Sequence, residues 1–196
     1  MDFLKTKNSN PTKYVIESSE PQGYVQLTHY IQTFMDKYAY DHWVVICIGT
    51  DRSTGDALGP LVGSKLKLMD PTRFAVLGSL EEPVHALNLE DIIRVIHDQY
   101  PYSGILSVDA CLGQLGSVGT IQVVDGPIKP GAGVQKNLPE IGHFHISGIV
   151  NVGGFMEYFV LQNTRLHVVM KMADTIATSI HRSIRLNGYK KENAAN

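Results

Sequence analysis

Apolar and polar positions divide this chain into short, almost uncharged runs and longer stretches with helical periodicity. Between Tyr24 and Tyr38, the residues Leu27, Ile31, Phe34, Met35 and Tyr38 recur at three-to-four spacing. That spacing predicts an amphipathic helix covering one face of a sheet. Trp43-Val44-Val45-Ile46-Cys47-Ile48 is apolar throughout and partly β-branched, the pattern of a strand buried on both faces of a parallel sheet. A polar loop, 49–55, follows. A helix then starts at Ala57 or at Pro60, which fits only in a first turn, and runs to Met69.

Further strands are predicted at Phe74 to Gly78, Gly104 to Asp109 and Gly119 to Val124. A helix over 87–100 carries the buried stripe Leu89, Ile92, Ile93 and Ile96. Strands alternating with helices imply right-handed βαβ units, so the chain falls in the α/β class with a mostly parallel sheet. Residues 126–142 are rich in Gly and Pro, too long and irregular for a simple connector, and read as a functional loop. Phe144 to Val150 follow, then a helix from Gly154 to Gln162, a last strand at 166–169, and an amphipathic helix ending near Leu186. The polar stretch 1–22 reads as a loose arm, 23–187 as a single α/β domain, and 188–196 as a polar tail.

Composition narrows the partners. A length of 196 residues, 43% hydrophobic and 18% charged, suits one soluble globular domain. A net charge of -2 gives no footprint for nucleic acid. No apolar run approaches the ~20 residues of a membrane span, and the polar N-terminus has no secretion h-region. Two cysteines, Cys47 and Cys111, are too few for a disulfide framework, so a reducing cytoplasm is the expected compartment. Nothing in the pattern signals an oligomeric state.

Ligands of open α/β sheets bind beyond the carboxyl ends of strands, near a reversal of strand order. Asp56 closes the loop after the first strand and Asp109 ends a later one, so neighbouring strands would bring both carboxylates into one crevice. Paired carboxylates cannot both ionise cheaply, so one holds a proton and the two act as acid and base on water attacking an amide. Alternatively, two carboxylates and a histidine bind a divalent transition metal. Asp56 also precedes a helix, where an aspartate often serves only as an N-cap. Glu81, beside Glu82 and His85 after the second strand, stands along the same sheet edge. The loop 49–55 matches neither the dinucleotide nor the P-loop glycine pattern.

The segment Gly49-Thr50-Asp51-Arg52-Ser53-Thr54-Gly55-Asp56-Ala57-Leu58-Gly59-Pro60 resembles the first signature of the spore germination protease, and Ser107-Val108-Asp109-Ala110 resembles its second. From about Trp43 to Ile184 the chain is most similar to YyaC-type sporulation proteins, a family related to that protease. Hydrogenase maturation proteases look similar at the same places, with a glutamate where this chain has Asp56. Their third ligand, a histidine on a later loop, corresponds best to His145, with His143 competing. The resemblance implies a three-layer α/β/α sandwich of the phosphorylase/hydrolase type. It also implies hydrolysis of a peptide or protein substrate by Asp56 and Asp109, assisted by His145 or His143; Glu81, from its place along the sheet edge, is a further assisting candidate. A divalent transition metal on Asp56, Asp109 and His145 is the metal-dependent version. Expression in the cytoplasm of the sporulating cell or forespore follows from the same resemblance. A non-catalytic peptide-binding or regulatory protein that keeps the protease fold is the alternative.

Overall fold

The computed structural model describes residues 12–69, 74–130 and 138–194, with side chains to 188. The first half of the expected arm, the centre of the loop 126–142 and the last two residues lie outside the described residues. Six strands form one sheet, β1 (Lys13–Glu17), β2 (Trp43–Cys47), β3 (Phe74–Leu77), β4 (Gly104–Gly113), β5 (Thr120–Asp125) and β6 (Phe144–Val152). Five helices accompany them, α1 (Gly23–Tyr38), α2 (Leu58–Lys67), α3 (Leu89–Gln99), α4 (Glu157–Gln162) and α5 (Leu166–Ala194). The strand order is β1-β5-β6-β4-β2-β3, and β3, β2, β4 and β6 are mutually parallel, with β5 antiparallel between β1 and β6.

Each strand of the parallel core alternates its side chains between two apolar layers. Val45, Cys47, Leu106, Val108, Phe144 and Ile146 point to the face covered by α1, α2 and α5. Val44, Ile46 and Ile48 point to the other face, which α3 covers together with Ile128 and Ile141, themselves joined in an antiparallel bridge. The result is an α/β/α sandwich with one thick and one thin helical layer.

Several stretches differ from the sequence expectation. Lys13–Glu17, expected in the arm, forms an edge strand on β5, with Tyr14 and Ile16 turned inward and Tyr14 stacked on Tyr30 at 4.3 Å. β6 fills the unassigned stretch after the long loop. Gly148 at its centre, which weakens any strand signal, leaves room for Leu58 of α2: a Cβ there would lie 2.3 Å from that side chain. Residues 166–169 are the first turn of α5 and not a strand. A short apolar run fits either form, and the stripe Val169, Met172, Ala173, Ile176, Ala177 and Ile180 continues through it unbroken. α5 also runs on past Leu186 to Ala194. The expected helix from Gly154 starts only at Glu157, because Gly154 (φ 137°) and Met156 (φ 55°) take left-handed conformations before it.

Candidate active site

The connection from β2 through α2 leads to β3 on one side of β2, and the connection from β3 through α3 leads to β4 on the other. Strand order therefore reverses at β2, and the crevice at the carboxyl ends of β2 and β4 is the expected ligand position. Both aspartates are there.

The loop carrying Asp56 is shaped by close backbone approach. Gly49 ends β2 at φ 143°, and a Cβ on it would stand 2.0 Å from the Asp56 carbonyl oxygen. No side chain fits, because the loop folds back onto the strand end and Thr50 donates its N–H to that same carbonyl at 3.2 Å. This explains a glycine seven residues before the aspartate. Gly59 does the same for α2, since its Cβ would meet the Ile48 carbonyl oxygen at 2.0 Å. The first turn of α2 thus lies directly on the end of β2.

α2 begins after Ala57 without a side-chain cap, and the nearby Thr50 N–H favours the charged form of the Asp56 carboxylate. The N-cap role open at the sequence level is not the one it fills. Burial raises its pKa, while the Thr50 N–H and the charge of His85 pull the other way.

Asp109 sits on β4 level with Ser147 of β6, one residue beyond the last pairing of β4 with β2. The strand does not end there, as the sequence suggested, but continues to Gly113 because β6 runs on beside it. Only the β2 side opens. Asp109 is 8% exposed, and its Oδ1 accepts the Ala110 N–H at 2.8 Å. Burial first, and then the negative charge of Asp56, push its pKa well above the usual carboxylate range. Of the two carboxyls, Asp109 is therefore the one that holds a proton more readily.

The remaining expected partners are placed elsewhere. His145 lies within β6, not on a loop, level with Ser107. Its Nδ1 donates to the Gly126 carbonyl at 2.9 Å, and burial lowers its pKa with no contribution from either aspartate. A diagonal cross-strand step separates it from Asp109, a Cβ separation of about 7–8 Å. His143 accepts the Ile105 N–H at 2.9 Å and packs beside Tyr38 and Tyr40. It braces the start of β4, four residues or about 13 Å of strand from Asp109. Glu81 is exposed on the turn after β3, beside Glu82, which pairs with Lys67 at 3.0 Å. Among the described residues no three His, Cys, Asp or Glu side chains come together as a metal-binding group. Asp56, Asp109 and His145 therefore do not fit a metal centre as they stand.

Neither thiol is activated. Cys47 is fully buried, and desolvation pushes its pKa far up. Cys111 is exposed as a residue, but partial burial of its thiol and then the charge of Asp109 raise its pKa also. Two features at this end of the sheet were not assigned a role from the sequence. One is His85, the charged neighbour of Asp56. The other is α4, whose Leu161 carbonyl accepts the Gly55 N–H at 2.8 Å and whose segment exposes Phe155, Met156, Tyr158 and Phe159.

Comparison with known proteins agrees with this fold. Residues 15–179 match the family described as "Protein of unknown function (DUF1256)". The chain is 54% identical over 168 residues to the uncharacterized protein YyaC of Bacillus subtilis (strain 168), covering 86% of this chain and 82% of YyaC. The crystal structure of a [NiFe] hydrogenase maturation protease, HycI from Thermococcus kodakarensis KOD1, superposes with a TM-score of 0.56 at 15% identity. That match covers 80% of this chain and 99% of HycI, a likeness of fold. Among the described residues no helix is long and apolar enough to cross a membrane. With its family model spanning most of its length and YyaC as a close relative, the chain belongs to the DUF1256 family, built on the fold of a maturation protease.

Proposed function

We propose that the protein hydrolyses a peptide or peptide-like amide with Asp56 as base and Asp109 as acid. The supporting observation is the mutually repelling pair of a buried Asp109 and a half-buried Asp56 at the point where strand order reverses. Asp56 takes a proton from water as its oxygen attacks the amide carbonyl carbon, and Asp109 gives its proton to the carbonyl oxygen. The tetrahedral diol then collapses. The C–N bond breaks, Asp56 passes its proton to the leaving nitrogen, and Asp109 recovers one from a hydroxyl. No step is routed through a metal, because the residues present form no three-ligand set.

The exposed Phe155, Tyr158 and Phe159 beside the Asp56 loop favour substrates with apolar side chains near the cleaved bond. The resemblance to sporulation proteins supports a site of action in the cytoplasm of the sporulating cell. A terminal-peptide survey tests the reading: extract from sporulating cells lacking the protein is incubated with wild-type, Asp56→Asn or Asp109→Asn protein. New termini with wild type alone support hydrolysis. Equal cleavage by both variants, or an intact partner held stably by wild type with no cleavage, refutes it in favour of a binding role.

A further inference from the structure

At the carboxyl end of the sheet, three chain segments run side by side. Ile48 pairs in parallel with Val84 and donates its N–H to Val108 at 2.8 Å, while Gly49 donates to Val84 at 2.8 Å. Because Cys47 is level with Val108, Ile48 is level with Asp109. Val84, Ile48 and Asp109 thus form one row, and His85 is the next residue along from Val84. Neighbouring strands are about 4.8 Å apart, so the chains at His85 and Asp109 flank β2 at about 10 Å from each other. The loop from Thr50 to Asp56 leaves the end of β2 between them.

We propose that His85 is the third member of the carboxylate site, a positioning residue that acts on Asp56 from the side of the crevice opposite Asp109. The inference rests on the pair assigned above and adds the group that makes its two members unequal. His85 is held in place. Its N–H donates to Asn88 Oδ1 at 2.8 Å, and Asn88 Nδ2 donates to the Pro83 carbonyl at 3.0 Å. The ring is oriented too, because Nδ1 accepts the Leu87 N–H at 3.3 Å, which leaves the proton of the neutral imidazole on Nε2.

An Nε2–H donor, or an imidazolium, favours a negative charge on Asp56. Asp109 has no such neighbour and is enclosed, so the shared proton falls to it. The competing charges at this end are already engaged or turned to water. Glu82 pairs with Lys67, Asp91 pairs with Arg94 at 2.9 Å, and Glu81 and Glu90 are exposed. His85 also lines a groove of about 440 Å³ with Glu82, Asn88 and Ile92, which gives water a path to the ring.

Carboxyl-carbon NMR titration of aspartate-labelled protein tests this, with Asp56→Asn and Asp109→Asn assigning the two signals. In folded His85→Gln and His85→Ala variants the Asp56 midpoint should rise by about half a pH unit or more, the size of one charge acting across a crevice. An unmoved midpoint overturns the inference. A second readout needs no His85 variant: the ring signals of His85 in the wild type should step as Asp56 titrates, and the step should vanish in Asp56→Asn. A His85 signal that passes through the Asp56 titration without a step also overturns it. Neither readout requires turnover. Coupling in a protein that cleaves no peptide sinks the hydrolase reading alone, and cleavage without coupling sinks this one alone.

Discussion

Replacing Gly59 by Ala sets two known effects of opposite sign against each other. Alanine is the better helix former by about 1 kcal/mol, which would stabilise α2. The added Cβ, however, would sit 2.0 Å from the Ile48 carbonyl oxygen and 2.8 Å from the carbon and nitrogen of the same residue. A carbon–oxygen contact needs about 3.3 Å, so the first turn of α2 must withdraw from β2 by about 1.3 Å. The obstacle is backbone and cannot rotate away. Withdrawal also loosens Leu58, Val62 and Leu66 against the sheet, all of which are fully buried. Overpacking of this kind costs about 1–3 kcal/mol, at the upper end here, so the expected outcome is a net loss of about 1–2 kcal/mol. Urea unfolding of Gly59→Ala beside the wild type measures it. Gly116→Ala is the control, since nothing lies within 4 Å of its Cβ, and should stay within about 0.5 kcal/mol of wild type. A Gly59→Ala protein as stable as wild type, or more so, would refute the claim that strand and helix backbones touch here. Where cleavage can be followed, a loop carried off by about 1 Å should also slow it about 100-fold.

The pH dependence of stability should carry the sign of Asp109. A carboxyl whose folded pKa is raised above its ordinary 3.8 contributes stability present below that value and lost as pH rises through the folded pKa. Asp109→Asn removes this loss and keeps an acceptor for the Ala110 N–H, so at neutral pH it should unfold at equal or higher urea than wild type. Asp125 has the opposite sign: partial burial raises its pKa, but Lys37 and the Tyr38 hydroxyl, at 2.8 Å, outweigh that and lower it. Its contribution is present at neutral pH and lost as pH falls through the lowered value, and Tyr38→Phe should diminish it by no more than about 1 kcal/mol on this partly exposed site. Cys111 should react with iodoacetamide at neutral pH more slowly than a free thiol, while Cys47 should stay unlabelled until the chain unfolds.

Local physics made part of this molecule legible and hid the rest. The uncharged run Trp43 to Ile48 can only be buried on both faces, and the structure places it inside the sheet, between β4 and β3. The glycine–aspartate spacing of the next loop was equally readable, because it records a close backbone approach that admits no Cβ. β1 was hidden because its five residues gain meaning only beside β5, more than a hundred positions later. His145 looked like a loop residue for want of a reason to see β6, whose Gly148 is dictated by a leucine on α2. The weight of His85 was invisible for a similar reason. Only the long-range bridge from Val84 to Ile48 sets it beside the aspartate.

The position of α5 in the chain has a consequence for synthesis. Its stripe closes over α1 and α2, and its Ser179 and Ser183 hydroxyls donate to the carbonyls of Tyr24 and Thr28, 155 residues earlier. A chain emerging from the ribosome therefore leaves part of the thick-layer face, and the flanks of α1 and α2, open to water until α5 is out. Contacts so distant in sequence close slowly. α2, which seats the Asp56 loop, rests on that same last helix. The two carboxylates are held in register only once α5 has emerged and packed, so until then the nascent chain passes through the crowded neighbourhood of other unfolded polypeptides without a finished crevice.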